Sequence, residues 1–230
     1  AATASAAKKA PVVVRKEKQL FPLNLPNIIL SELLGTFILT LVAVTAFGVS
    51  PFAASTAGVL GSWVVDPLFI GLTLMILVMG LGAVSGAHVN PAVTFAMWTM
   101  RKINWATGLV YWGAQFVGAM LAVAVANLAS GGQFAMSFDF MTFNWSLFTV
   151  ELVGAAVFLY GLTAVWNRDE LSAGAKAFGI GLALTVGLVA GGSLLSLAQT
   201  TAYQKYQASS GKSSTSFPHE LMVKTAVLNP

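Results

Sequence analysis

Ser85-Gly86-Ala87-His88-Val89-Asn90-Pro91-Ala92-Val93-Thr94 is the stretch that decides how this chain folds. It breaks an apolar run after about eighteen residues, close to the length of one helical bilayer crossing. Asn before Pro is a helix start: the Asn side chain caps free amides, and Pro suits the first helical position, where its missing N–H costs nothing. A helix beginning after Asn90 meets Arg101 and Lys102 about ten residues on, and at about 1.5 Å per residue it crosses only half of a hydrocarbon core about 30 Å thick. The expectation is a re-entrant half-helix preceded by non-helical backbone over 85–89. Such backbone is tolerated at membrane depth only where protein buries it or where it lines a watery cavity, so a pore is expected. The carbonyls of Gly86, Ala87 and His88 cannot pair inside a helix and are candidate acceptors for water or a solute, while the Asn90 amide and the positive end of the half-helix are candidate donors.

The rest of the sequence supplies the membrane. Hydrophobic residues make up 57% and charged residues 9% of the 230, against about 25% charged in an average globular chain. Twelve Lys and Arg with eight Asp and Glu cannot cover a 24.0 kDa surface with water-facing charge, which excludes a cytosolic enzyme. With no cysteine and two histidines, neither a metal site nor a cofactor is expected. Uncharged or nearly uncharged runs predict five spans, at 27–49, 67–84, 104–126, 147–166 and 177–198. The basic tail, Arg101 with Lys102, and Arg168 with Lys176 alternate with loops carrying only Asp66 and Asp139. A positive-inside layout then puts the N-terminus on the cytoplasmic side or its organellar equivalent. The basic tail reads as a topology signal or a contact to anionic lipid rather than a nucleic-acid site. The acid-free Ala/Ser/Thr/Lys-rich opening without a methionine suits the mature end left by an organellar transit peptide, as of a plastid thylakoid protein, and equally an arbitrary cut.

The chain also repeats itself. Glu32-Leu33-Leu34-Gly35 is echoed by Glu151-Leu152-Val153-Gly154, Ile70-Gly71-Leu72 by Ile180-Gly181-Leu182, and Asn90-Pro91 by Asn229-Pro230, in the same order. With three spans per unit, the second copy must enter the bilayer the other way round. Inverted repeats of this kind place the functional site at the midplane between halves. Two facing half-helix ends, after Asn90 and Asn229, would repel cations and orient a water chain against proton hopping. The second copy is longer by a polar stretch at 199–224, read as an insertion.

At 85–94 the chain resembles the major intrinsic protein family, the aquaporins and glycerol channels, with further matches at Ser31-Glu32-Leu33-Leu34-Gly35-Thr36-Phe37 and at Tyr111-Trp112-Gly113-Ala114-Gln115-Phe116-Val117-Gly118-Ala119. The resemblance implies an all-α membrane protein with an aquaporin-like inverted repeat, six spans plus two re-entrant half-helices around one pore per subunit, usually as a homotetramer. Five spans and one half-helix fall within this sequence. The implied organisation is a tail at 1–26 and a membrane domain at 27–230, with a first repeat at 27–126 and a second, cut short, at 147–230. Asn90 and Asn229 look like the paired pore asparagines, and Glu32 and Glu151 like the family's buried carboxylates that hold the two re-entrant loops. The constriction should fall at Ile70, Leu188 and Ala226. An arginine three residues after Asn229, the second half-helix and the sixth span would follow Pro230, and residues beyond it are expected.

The implied function is a passive channel for water or small neutral solutes that excludes protons through its paired Asn-Pro half-helices. Ile70 and Leu188 stand where strict water channels carry an aromatic residue and a histidine, which favours small neutral solutes or poor water flow. The alternative is a non-conducting or weakly conducting aquaporin-fold accessory subunit of a larger photosynthetic or respiratory membrane complex. His88 reads as a satisfied structural histidine rather than a pH sensor. Gln115 reads as holding a loop, Gly71, Gly113, Gly118, Gly181 and Gly187 as close helix crossings, and Trp63, Trp98, Trp105, Trp145 and Trp166 as interface anchors.

Overall fold

The computed structural model describes residues 21–48, 64–132 and 145–210. Among them it forms helices α1 (Leu25–Gly48), α2 (Asp66–Ser85), α3 (Pro91–Thr99), α4 (Trp105–Ala129), α5 (Trp145–Trp166) and α6 (Ala173–Ser210). Five of these are long and apolar enough to cross a membrane, and they fall where the sequence predicts spans. None has a marked amphipathic stripe, because the outward face meets lipid rather than water. Ile76, Met120 and Leu152 are accordingly exposed on it.

Punctuation residues set the ends of the helices. Pro67 opens α2, and the Asn104 side chain accepts the Thr107 N–H at 2.8 Å to cap α4. α4 ends in a paired turn: Gly131 is left-handed (φ 67°), its N–H reaches the Leu128 carbonyl, and Gly132 reaches Asn127. This is the Schellman arrangement, and glycine fits because it takes the left-handed conformation without the strain a Cβ brings.

α6 runs unbroken for 38 residues to Ser210, so the polar stretch at 199–224 begins as helix. Residues 199–210 contain neither Gly nor Pro and are rich in Gln, Ala and Thr, so nothing stops the helix. At about 1.5 Å per residue α6 is about 57 Å long, well beyond a core of about 30 Å. Polarity there marks the exit from the membrane and not the end of the helix.

α1 packs on α4 and α2, α5 on α6, and α2 on α6, while the short α3 lies against α4 and reaches α5. Glycines let the backbones approach. A Cβ on Gly118 would strike the Leu33 carbonyl of α1, and one on Gly187 would strike the Gly154 carbonyl of α5. At the α2–α6 crossing the clash is reciprocal, Gly71 against the Gly181 carbonyl and Gly181 against that of Gly71. These two glycines belong to the echoed Ile-Gly-Leu motifs, and reciprocity is what a two-fold axis through the crossing produces. Gly113 is a correction: nothing lies within 4 Å of its would-be Cβ, so it faces outward and makes no crossing. It lies five residues from Gly118, which turns it well away from α1 on a helix of 3.6 residues per turn.

Candidate functional site

α2 stops at Ser85 because Gly86 turns left-handed (φ 85°) while its N–H still reaches the Gly82 carbonyl at 3.0 Å. Ala87 (φ 49°) and Val89 (φ 42°) are left-handed as well. For a buried β-branched residue this is a strained conformation, of a kind that costs about 1–3 kcal/mol and persists only where the surroundings hold it.

The restraint comes from α1. Glu32 is fully buried, and its Oε1 accepts the Ser85 hydroxyl at 2.6 Å and the His88 N–H at 3.0 Å, while its Oε2 accepts the Val89 N–H at 2.7 Å and the Gln115 amide at 2.8 Å. Ser85 passes the restraint on, since its hydroxyl oxygen accepts the Ala87 N–H at 3.1 Å. Consecutive amides that no helix or sheet pairs thus end on one carboxylate, directly or through Ser85. None of these bonds uses the carbonyls of Gly86, Ala87 or His88.

Asn90 follows in extended backbone (φ −156°) and caps α3, its Oδ1 accepting the Ala92 N–H at 2.8 Å, with Pro91 in the first turn. At nine residues α3 is about 14 Å long, under half of a hydrocarbon core. Its far end closes in a second Schellman turn, with Arg101 left-handed (φ 59°) and donating to the Trp98 carbonyl, and Lys102 donating to that of Met97, both at 2.9 Å. α3 therefore runs from Asn90 to the basic Arg101-Lys102 turn, with its positive end at Asn90.

α4 supplies partners that sequence reasoning missed. The Tyr111 hydroxyl donates to the Ser85 carbonyl at 2.6 Å, and the Trp112 indole N–H donates to the Pro91 carbonyl at 3.1 Å. Thr94 sits between Gln115, which donates to it at 2.9 Å, and His88, whose Nδ1 is 3.2 Å away. His88 also packs on Tyr111 with ring centroids 4.6 Å apart, so it is a bonded, buried histidine. One signal was available: Thr107, Tyr111 and Gln115 recur every fourth position, a polar stripe on one face of an apolar helix.

Ile70 and Leu188 are buried in one apolar cluster together with Leu74, Val89, Phe158 and Leu184. Glu151 lies half-buried in α5, and among the described residues no hydrogen bond reaches its carboxylate. Asn229 and Ala226, with the second Asn-Pro, lie outside the described residues.

An all-helical membrane bundle whose second span bends back through a carboxylate-held loop into a half-helix defines a class, and comparison with known proteins bears on which. Residues 23–202 match the family model for the major intrinsic protein. "Probable aquaporin TIP3-2" of Oryza sativa subsp. japonica is 37% identical over 142 residues, 60% of this chain and 51% of that protein. Aquaglyceroporin-2 of Rhizophagus irregularis is 41% identical over 100 residues, 43% and 30% of the two chains. Aquaporin Z of Photorhabdus laumondii is 30% identical over 172 residues, 68% and 72%. The chain spans about half or less of the length of the first two. With this match, the chain belongs to the major intrinsic protein family and is a multi-pass membrane protein.

Proposed function

We propose that the protein is a passive transmembrane channel for water or small neutral solutes and has no enzymatic activity. The observation that carries this is the bend at 85–90: strained backbone, held on one side by Glu32, leaves the Gly86, Ala87 and His88 carbonyls out of the network that fixes it. Non-helical backbone at that depth is tolerated where protein buries it or where it lines a watery path, and the unused carbonyls favour the path. Names of relatives in both aquaporin and aquaglyceroporin groups support the substrate class. In this reading Asn90 and Asn229 donate to a solute at the midplane. The two half-helix ends repel cations, Glu32 and Glu151 hold the two bends, and Ile70, Leu188 and Ala226 form the constriction. An apolar Ile70 and Leu188 give a passing water few partners there, which favours small neutral solutes. The basic N-terminal side faces the cytoplasm or its organellar equivalent, and four copies assemble, each with its own pore. Proteoliposome shrinkage in osmotic gradients tests the proposal. Permeability above protein-free vesicles for water, glycerol or ammonia is expected, and no excess for any of the three overturns it.

A further inference from the structure

Two acids among the described residues are almost wholly buried, Glu32 and Asp66. The bend and Gln115 fill the acceptor sites of Glu32. Asp66 is different: it is 2% exposed, and its Oδ2 has no hydrogen-bond partner. The ion pairs among the described residues, Arg168 with Glu170 and Lys176 with Asp169, lie beyond α5, at the end of the bundle where α2 finishes and not where Asp66 begins it. Asp66 stands in the first turn of α2, where the positive helix end favours an acid, but a helix dipole does not occupy the free oxygen. An ionisable side chain buried in a membrane bundle with an unmet oxygen costs stability and marks a functional position.

Its place ties it to the constriction. Asp66, Ile70, Leu74 and Leu77 fall on one buried face of α2 at helical spacing, and the last three belong to the cluster that holds Leu184 and Leu188. Asp66 is one turn, about 6 Å, from Ile70 on the side away from the bend. α6 meets that turn of α2, since the Thr185 hydroxyl donates to the Pro67 carbonyl at 3.3 Å, and Leu188 is the next turn of α6 toward the same end.

We propose that Asp66 is a specificity-determining residue, its free oxygen accepting a hydrogen bond from an N–H or O–H of the solute just before the apolar constriction; this rests on the channel reading above. A water molecule moving in file keeps water neighbours before and behind it. A solute that fills the path sheds its water to pass Ile70 and Leu188, which offer no polar partner, and an acceptor one turn earlier replaces one of the bonds it gives up. A carboxylate oxygen accepts more strongly than an amide oxygen, so the position favours solutes rich in donors, amides and polyols, over water.

The test compares solutes within one preparation. Urea, glycerol and water permeabilities are measured by light scattering in the same proteoliposomes, and the thermal midpoint of each variant is read in detergent. Asp66→Asn keeps the shape of the side chain and should lower the ratios of urea and glycerol to water about fivefold. Its midpoint should stay or rise, because a buried, unmatched acid has been removed. Asp169→Asn removes an acid at the opposite end of the bundle and should leave both ratios intact. Unchanged ratios in Asp66→Asn, or an equal fall in Asp169→Asn, would overturn the assignment. A lowered midpoint in Asp66→Asn would make the carboxyl a structural group and overturn it as well. So would an unaltered protein that passes water or ammonia but neither urea nor glycerol. The channel reading is tested separately by the unaltered protein: if no solute exceeds protein-free vesicles, both readings fail, whereas conduction with unmoved ratios removes only the role of Asp66.

Discussion

The Glu32 carboxylate has about four lone-pair sites, and Ser85, His88, Val89 and Gln115 occupy them. Glu32→Gln keeps the shape but replaces one accepting oxygen by a donating NH₂, so a buried N–H of the bend or of Gln115 loses its acceptor. An unmet buried polar group costs about 1–3 kcal/mol. Thermal unfolding in detergent should show a lowered midpoint for Glu32→Gln, and an unchanged midpoint would mean that the bend stands without its carboxylate. Ala87 tests the strain from the other side. Its left-handed backbone suits glycine, and Ala87→Gly should be neutral or stabilising by up to about 1 kcal/mol in the same assay. Val89→Gly should lose stability despite its own positive φ, because the Val89 side chain packs on Gly35 and is fully buried. A gain in Val89→Gly would mean that strain outweighs packing there.

Helix crossings follow the same logic one level up. A methyl at Gly118 meets the Leu33 carbonyl, so α1 and α4 must separate along their length, whereas a methyl at Gly113 meets nothing. Gly118→Ala should therefore destabilise by about 1–3 kcal/mol, and Gly113→Ala should be neutral or slightly stabilising. Equal effects on the unfolding midpoint would contradict the packing described. The two glycines also mark how far the sequence could be read. Both sit in an apolar helix within one motif, and only rotation about the axis separates crossing from lipid face. Apolar residues on all sides give no stripe from which that rotation can be inferred. The half-helix was legible because Asn-Pro and Arg-Lys bracket it with opposite, local signals. The partners of the bend were partly legible. Glu32 stands out as an acid in an apolar run, but Tyr111 and Trp112 look like any aromatic residues of a span until the fold brings Ser85 and Pro91 to them.

At the scale of the molecule, two kinds of surface divide the work. The outward faces of the five spans are apolar, while Glu32, Ser85, His88, Thr94 and Gln115 are buried and bonded together at one bend between α1, α3 and α4. In the proposed channel that bend holds the positive end of α3 within the bilayer, and a matching end after Asn229 would face it across the midplane. The proposed channel carries neutral molecules and rejects protons for an electrostatic reason, with the Asn90 amide and two helix ends setting the field. Asn90→Asp puts a negative charge at that point and should weaken the rejection. The most direct measurement reads solute and protons in the same proteoliposomes, with shrinkage followed by light scattering and an enclosed pH dye reporting leak under a pH gradient. Solute permeability above protein-free vesicles with no added proton leak is expected in the unaltered protein, and a measurable leak in Asn90→Asp. Permeability no higher than that of protein-free vesicles, or a proton leak already present in the unaltered protein, would contradict it.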